Sequence, residues 1–234
     1  MQQSLKIEVA EGGFNCYVAW PETAGSHPVI VVLQEIFGVN AGIRQIAQAY
    51  AAQGYIAVAP DLFWREAPGL ELSDARQEDW QRGFALYTGY DLEKGVADIQ
   101  ATIGAARSLA NSNGKVGVTG YCLGGLLTYL SAARTDADAF AAYYGGATEQ
   151  YLDRAALIKA PLIYHLAEAD EYIDHASQQQ IKKALQPLPE SEIYSYPERD
   201  HAFARPDGQH YHAADAALAN ARTAAFFERH LKAG

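Results

Sequence analysis

The sequence predicts the α/β class, with a mostly parallel central sheet and helices on both faces. Apolar runs typical of strands alternate with amphipathic helical stretches at intervals of about 20–40 residues, the pattern that parallel sheets require. The run Pro28-Val29-Ile30-Val31-Val32-Leu33 is apolar throughout, as in strands that are buried on both faces. Because the 234 residues contain no evident linker, repeat or low-complexity segment, we expect a single domain over residues 1–234.

The first quarter of the chain is expected to open with a β-hairpin. Residues 5–9 and 14–20 alternate apolar and polar side chains on either side of Glu11-Gly12-Gly13, which is a hairpin signal. A short loop, residues 34–40, follows the buried apolar run. The elements predicted in this part are strands over 5–9, 14–20, 28–33 and 55–59 and a helix over 41–53.

The remaining chain alternates helices and strands after an irregular aromatic segment, residues 62–74. The longest helix carries Val96, Ile99 and Ile103 on one apolar face. Asn111-Ser112-Asn113-Gly114 is predicted to be a turn. The remaining helices are expected over 78–87, 92–109, 123–134, 149–158, 175–185 and 213–231, and the remaining strands over 115–120, 139–144, 161–166 and 191–196.

Composition excludes several classes of function. The net charge of −10 and the lack of a Lys/Arg run argue against nucleic acid as a partner. The N-terminus has no apolar signal core, and no apolar stretch approaches the roughly 18 residues of a membrane span, so we expect no membrane partner and a cytoplasmic location. Two cysteines suit a reducing compartment. The sequence has neither a phosphate-binding glycine loop nor a metal-spaced Cys/His cluster, so we expect no cofactor and no metal. We also expect a monomer or a weak homo-oligomer.

One stretch carries the predicted chemistry. Gly120-Tyr121-Cys122-Leu123-Gly124 is G-x-C-x-G between a predicted strand and a predicted helix, the arrangement of a nucleophile elbow with sulfur in place of the usual hydroxyl. Glycines at both ends let strand and helix approach closely. The helix N-terminus favours a thiolate and a developing oxyanion. We therefore predict that Cys122 is a nucleophile, whereas Cys16, within a strand, is a small packed apolar residue.

An acid and a base are expected further along the chain, because this architecture has the order nucleophile, acid, base. Asp170 lies four residues beyond a predicted strand, and His201 lies in the loop after the last strand. Position alone leaves Glu168, Glu171 and Asp174 open as alternative acids. The other histidines fit less well, since they lie in or before strands or on or beside helices. In this hypothesis His201 takes and returns protons, and Asp170 holds its tautomer.

Two backbone N–H groups are expected to bind the oxyanion, one from Leu123 after the nucleophile and one from Ile36 at the end of an early strand. Glu35 lies beside that second donor, where a carboxylate would repel an oxyanion. Either Glu35 points to solvent, or it points inward, hydrogen-bonds the thiol and alters its protonation.

The sequence resembles the dienelactone hydrolase (carboxymethylenebutenolidase) family over essentially its whole length. The matching residues are Gln34-Glu35, Pro60-Asp61-Leu62, Ala67-Pro68-Gly69, Ser112-Asn113-Gly114-Lys115-Val116-Gly117, Gly120-Tyr121-Cys122-Leu123-Gly124-Gly125, Tyr143-Tyr144-Gly145, Asp170 and Asp200-His201-Ala202-Phe203-Ala204-Arg205. The resemblance implies an α/β-hydrolase fold with a Cys122/Asp170/His201 triad. It also implies that Glu35 keeps the resting thiol neutral until substrate displaces it. The implied reaction opens a dienelactone to maleylacetate with water, in aromatic compound degradation.

The substrate site departs from the family in one respect. The family binds the substrate carboxylate with two arginines, and Arg205 matches one of them, whereas Trp80 stands where the other is expected. Arg76 and Arg82 are near enough in sequence to substitute, although solvated positions on a helix are favoured for both. With Arg205 and Trp80, we expect Phe37 and Tyr144 to contact the substrate, a small lactone or ester.

Two alternatives remain open. A broader carboxylesterase or thioesterase of the same fold would share the triad but act on a bulkier or less anionic substrate. A protein without catalytic activity could use Cys122 as a redox-sensing thiol, although sensing requires no orienting acid such as Asp170.

Overall fold

Eight strands form one sheet in the computed structural model, which describes residues 4–232. In chain order they are β1 (Ser4–Val9), β2 (Gly12–Ala19), β3 (His27–Leu33), β4 (Ile56–Pro60), β5 (Ser112–Tyr121), β6 (Ala139–Tyr143), β7 (Leu162–Ala167) and β8 (Ser191–Tyr196). Their spatial order is β1-β2-β4-β3-β5-β6-β7-β8. The first two strands pair antiparallel and β2 is antiparallel to β4, whereas all other neighbours are parallel. The predicted α/β class is confirmed.

The described residues form six α-helices: α1 (Ala41–Ala52), α2 (Gln77–Thr88), α3 (Leu92–Arg107), α4 (Leu123–Ala132), α5 (His175–Leu185) and α6 (Ala213–Phe227). The buried strand β3 shows why a continuous apolar run is needed. Val29, Val31 and Leu33 belong to the core on the side of α3, α4 and α5, whereas Ile30 and Val32 belong to the core on the side of α1 and α6. Each strand residue therefore contacts one helical layer or the other.

Parallel pairing brings several loops to one edge of the sheet. Strands β3, β5, β6, β7 and β8 all end at this edge, because each pairs parallel with its neighbour. Residues that directly follow these strands therefore lie close together, although they are far apart in sequence. Sites in open parallel sheets form at this carboxyl edge.

Most predicted elements are confirmed to within a few residues, but three differ. The predicted turn at residues 111–114 is wrong in part, because β5 already begins at Ser112, which pairs with His27 before a register shift. Residues 148–157 form a 3₁₀ helix with a kink at Tyr151 rather than a regular helix. The last helix ends at Phe227, and residues 228–232 continue as a π-helical turn. Among residues 4–232, none of the helices combines the length and apolar character needed to cross a membrane.

Candidate active site

Cys122 lies in the turn between β5 and α4, at the N-cap position of the helix. Its backbone has φ 56° and ψ −116°, a conformation that a residue with a side chain adopts only when its surroundings impose it. The Cys122 N–H donates to the carbonyl of Tyr143 at 3.1 Å, which fixes the turn to the end of β6. The side chain is partly exposed and faces a cavity at the carboxyl edge. Cys122 thus has the strained position expected of an elbow nucleophile.

The two glycines of the elbow have the predicted role. A Cβ atom on Gly120 would lie 2.1 Å from the carbonyl oxygen of Gly124, and one on Gly124 would lie 2.6 Å from that of Leu33. Backbone cannot yield to such contacts without moving a strand or a helix. The close approach of β3, β5 and α4 therefore depends on these glycines.

His201 and Asp170 form a buried hydrogen-bonded pair. Asp170 follows β7, His201 follows β8, and the Nδ1 of His201 lies 2.8 Å from the Oδ2 of Asp170. The second carboxylate oxygen accepts the N–H groups of Tyr172 and Ile173 at 2.8 and 3.3 Å, which orients the carboxylate.

The alternative acids lie elsewhere. Glu168 and Glu171 are exposed, and Asp174 caps helix α5 by accepting the N–H of Ser177. Of the four candidates that position alone left open, only Asp170 contacts His201 among the described residues.

The surroundings of His201 favour the imidazolium. Burial opposes its positive charge, but the charge of Cys122 and the hydrogen bond to Asp170 outweigh burial and raise the pKa of His201 to about 10. The other ring nitrogen, Nε2, is buried and makes no hydrogen bond to a residue in the range 4–232. Since His201 and Cys122 line the same cavity, that nitrogen is available to a reacting group there.

The two residues predicted to donate to an oxyanion also lie at this cavity. Leu123 is the first residue of α4, where a backbone N–H has no partner within the helix, and Ile36 belongs to the loop after β3. Both residues line the cavity together with Cys122. An oxygen bound there would also lie at the positive end of α4.

The cavity has a volume of about 170 Å³ and a largely aromatic wall. Besides the residues already described, its lining includes Trp80, Phe84, Tyr87, Tyr172, Glu149 and Arg205. The rings of Trp80 and Phe84 stack at 5.6 Å, and the ring of Tyr172 lies 4.8 Å from that of His201. A small apolar or aromatic substrate fits such a wall.

Glu35 points inward, but it is paired with Arg205 rather than with the thiol. The Nε and Nη2 of Arg205 donate to the two oxygens of Glu35 at 2.6 and 3.0 Å, and the Nη1 donates to Asp74 at 2.9 Å. Burial opposes the guanidinium charge, yet the attraction of Glu35 raises the pKa of Arg205 above its usual range. No hydrogen bond joins Glu35 to Cys122 in the described part of the chain, so the thiol-gating role of Glu35 stays a prediction.

Two of the expected substrate contacts lie behind the cavity wall. Phe37 is buried with its ring against Trp80 at 4.9 Å and the guanidinium of Arg205 at 4.9 Å. Tyr144 packs its buried ring 5.1 Å from His201. Both residues therefore support cavity residues and do not line the cavity. The expectation that they contact the substrate is therefore wrong for this cavity, because aromatic character alone does not show whether a residue lines a cavity or lies behind its wall.

Neither nearby arginine replaces the missing cation. Arg76 is 60% exposed and pairs with Asp79 and Glu78, and Arg82 is exposed. Trp80 itself lines the cavity, and its Nε1 donates to the carbonyl of Asp74 at 2.7 Å. Arg205 is thus the only Lys or Arg among the described residues that line this cavity.

Sequence reasoning missed Asp74, Glu149 and Tyr172. Tyr172 had a signal, because it is an aromatic residue two positions after the predicted acid. Asp74 lies in the irregular segment and reaches Arg205 across 131 residues of sequence, so no local pattern indicated it.

A larger depression of about 870 Å³ lies between β2 and α1, away from these residues. Within residues 4–232 no three His, Cys, Asp or Glu side chains are arranged to hold a metal ion.

Comparison with known proteins gives a consistent picture. The sequence profile described as the dienelactone hydrolase family matches residues 14–231. A carboxymethylenebutenolidase of Pseudomonas putida is 39% identical over 223 residues, which is 95% of this chain and 94% of the relative. A protein of Azospirillum brasilense, named as a candidate carboxymethylenebutenolidase, is 42% identical over 222 residues, 94% of this chain and 95% of its own.

The fold agrees with these relatives. The crystal structure of a candidate dienelactone hydrolase from Klebsiella pneumoniae superposes with a TM-score of 0.85 at 28% identity, covering 97% of this chain and 98% of that one. Family profile, relatives and superposed structure each span nearly the full length, and none is confined to the elbow. The chain therefore belongs to the dienelactone hydrolase family and is a hydrolase that acts on lactone or ester bonds.

Proposed function

We propose that the protein opens the lactone ring of a dienelactone, 4-carboxymethylenebut-2-en-4-olide, to maleylacetate by means of a Cys122/His201/Asp170 triad. The hydrogen bond between His201 and Asp170, beside a cavity that holds Cys122 at a strained elbow, carries this proposal. The names of the relatives support the substrate.

The first half of the reaction forms an acyl-thiol intermediate. The thiol proton of Cys122 passes to the Nε2 of His201, and the thiolate attacks the lactone carbonyl carbon. The carbonyl oxygen becomes an oxyanion, which the N–H groups of Ile36 and Leu123 stabilise. When the tetrahedral intermediate collapses, the bond between the carbonyl carbon and the ring oxygen breaks. His201 returns its proton to that oxygen as it leaves.

Water completes the reaction. His201 takes a proton from a water molecule, whose oxygen attacks the thioester carbonyl. The carbon–sulfur bond then breaks, His201 gives its proton to the departing sulfur, and the carboxylic acid that forms loses its proton to solvent. The products are the free Cys122 side chain and an enol carboxylate that tautomerises to maleylacetate. Asp170 stays ionised throughout and stabilises the imidazolium in both halves. The scheme requires water and no other reactant.

A broader carboxylesterase is the second candidate, and one observation favours it. Arg205, the cation available to a substrate carboxylate, already pairs with Glu35 and Asp74, and Trp80 replaces a second cation by an aromatic surface. Uncharged esters would then be bound as well as anionic lactones or better.

The test is the loss of the ultraviolet absorbance of dienelactone on incubation with the wild-type protein and with Cys122→Ala. We expect turnover by the wild type and a loss of at least about 10³-fold in the variant, since removing the nucleophile leaves only oxyanion stabilisation and binding. Cys16→Ala is the matched control, because this thiol is 2% exposed and burial raises its pKa.

Four outcomes are informative. Turnover of dienelactone that depends on Cys122 supports the proposal. Turnover of nitrophenyl esters alone, again dependent on Cys122, keeps the triad and moves the substrate to the second candidate. Undiminished activity in Cys122→Ala overturns the mechanism. If the wild type turns over neither substrate, the proposed function fails.

A further inference from the structure

We infer that Asp74 determines the charge of the acyl group that this enzyme accepts, by neutralising Arg205 and thereby weakening the binding of anionic substrates relative to uncharged ones. The inference rests on the proposed function, since it concerns the substrate of the Cys122 cavity. It assigns a positioning role to a residue that does not line that cavity.

The first step is the state of Arg205. Its guanidinium has five N–H donors, and three of them already donate to Glu35 and Asp74. Two donors remain, so hydrogen bonding to a substrate is still possible. The charge, however, is shared between two carboxylates, of which Glu35 is more buried than the arginine and Asp74 nearly as buried: the exposed fractions are 11% for Arg205, 5% for Glu35 and 14% for Asp74.

The second step is the local balance of charge. Around the guanidinium one positive charge faces two negative charges, so a substrate carboxylate would be the third anion at a single cation. Glu149 adds a further carboxylate to the cavity wall, and its Oε2 is buried without a hydrogen-bond partner among residues 4–232. Like charges in a buried setting repel strongly, because little water screens them.

The third step is that Asp74 is held rigidly in this role. Its Oδ2 also accepts the N–H of Gln209 at 3.3 Å, and its backbone carbonyl accepts from Gln209 and from the indole of Trp80 at 3.1 and 2.7 Å. The side chain cannot leave Arg205 without losing the hydrogen bond from the Gln209 N–H. The carbonyl of the same residue also positions Trp80, which forms the apolar part of the wall.

The experiment uses two substrates with the same lactone ring, the anionic dienelactone and its uncharged methyl ester, with the full-length wild type and Asp74→Asn. Asparagine keeps an acceptor oxygen for Arg205 and Gln209 but removes the negative charge. We expect KM for the anionic lactone to fall about tenfold, whereas kcat for both substrates and KM for the methyl ester stay within about twofold.

Two further variants separate charge at Arg205 from other effects. Glu71→Gln removes the same charge three residues away, from a side chain that is 51% exposed and pairs with Arg44, and we expect it to change neither KM. In an Arg205→Gln background, Asp74→Asn is expected to lose its effect on the anionic substrate, because the two side chains act as a coupled pair.

The outcomes distinguish this inference from the proposed function. Cys122-dependent turnover of both substrates with an unchanged ratio of KM values in Asp74→Asn overturns the role of Asp74 alone. A parallel rise of both KM values, with a lower melting temperature, also overturns it, since Asp74 would then be structural only. No turnover of either substrate by the wild type overturns the proposed function on which the inference rests.

Discussion

His201 lies between two groups that favour its charged form, the Cys122 sulfur in the cavity and the Asp170 carboxylate behind it. With its pKa raised to about 10, the imidazolium persists through neutral pH when the sulfur is ionised. In the proposed mechanism, one proton transfer from Cys122 to His201 therefore forms both the nucleophile and the general acid. The hydrogen bond makes Asp170 responsible for the orientation of the ring, whereas Cys122 and Asp170 together favour its positive charge.

Replacing Asp170 by Asn tests the role of this carboxylate toward His201. The amide cannot stabilise an imidazolium and can hold the ring in the wrong tautomer, so we expect kcat to fall by about 10³–10⁴-fold. Steady-state hydrolysis of a nitrophenyl ester measures the loss. Glu168→Gln, at the exposed alternative acid, is expected to retain full activity. Equal losses in the two variants would argue against the assignment of Asp170.

At this scale the sequence indicated Cys122, Asp170 and His201 because each occupies a fixed place relative to a strand end. The pairing of Arg205 with Glu35 and Asp74 could not be predicted in the same way. Those pairs join residues 170 and 131 positions apart, and the carboxylates lie in irregular loops. A side-chain pairing of this kind depends on how two loops fold against each other, which no periodicity records.

At the elbow the backbones of three elements, β3, β5 and α4, are in direct contact. Strand β5 leads into Cys122, helix α4 starts at the next residue, and the glycines at 120 and 124 let α4 and β5 approach each other and the end of β3. Such a junction tolerates no side chain at these two positions. Cys122, the proposed nucleophile, is thus positioned by regular structure on both sides.

Gly120→Ala is expected to destabilise the protein by more than about 2 kcal/mol, because the added methyl group would overlap the carbonyl of Gly124. Urea unfolding followed by circular dichroism measures this change. Gly104→Ala is the matched control, since nothing lies within 4 Å of a Cβ atom there and position 104 is in the middle of α3. Alanine in a helix interior is favoured over glycine by up to about 1 kcal/mol, so this variant should be slightly more stable. A tolerated Gly120→Ala would refute the close-contact argument.

Elements with a clear period were the easiest to predict. The bounds of α5 and β8 agree with the sequence, because each has a consistent apolar face and polar flanks. Strand β5 was predicted too short, since Ser112, Asn113 and Gly114 are turn-forming residues. In the structure Ser112 and Asn113 make turn-like side-chain bonds within the first, irregular part of the strand. The sequence reports such local bonds, whereas the pairing of Ser112 with β3 is a tertiary effect.

One buried polar network connects the parts of the molecule that carry the acid and the base. His165 of β7 hydrogen-bonds to Tyr196 of β8 and to Thr223 of α6, each at 2.8 Å. Burial lowers the pKa of His165 to about 3, with a smaller contribution from the charge of Arg222. The folded protein therefore holds this histidine neutral, whereas the unfolded chain protonates it near pH 6.5.

The whole fold should consequently lose stability in acid. Between pH 6.5 and about 3 the unfolded chain binds a proton at His165 that the folded chain does not bind. The contribution of His165 to the free energy of unfolding is therefore fully present above pH 6.5 and declines as the pH falls. From pH 6.5 to 5 the free energy of unfolding should fall by about 2 kcal/mol. Urea unfolding at several pH values should show a shallower dependence for His165→Asn than for the wild type. The exposed His210→Asn serves as a control, and identical slopes for wild type and His165→Asn would contradict this account.

The two cysteines have opposite environments, with a practical consequence. Cys16 is sealed in the core between β1 and β4, and burial followed by the nearby charge of Asp61 raises its pKa, whereas Cys122 opens onto the cavity. Of the two thiols, only that of Cys122 is therefore accessible to a reagent in the folded protein. An alkylating reagent should label one thiol per folded molecule. The labelled fraction then measures how much of a preparation has a free Cys122, even before the substrate is known.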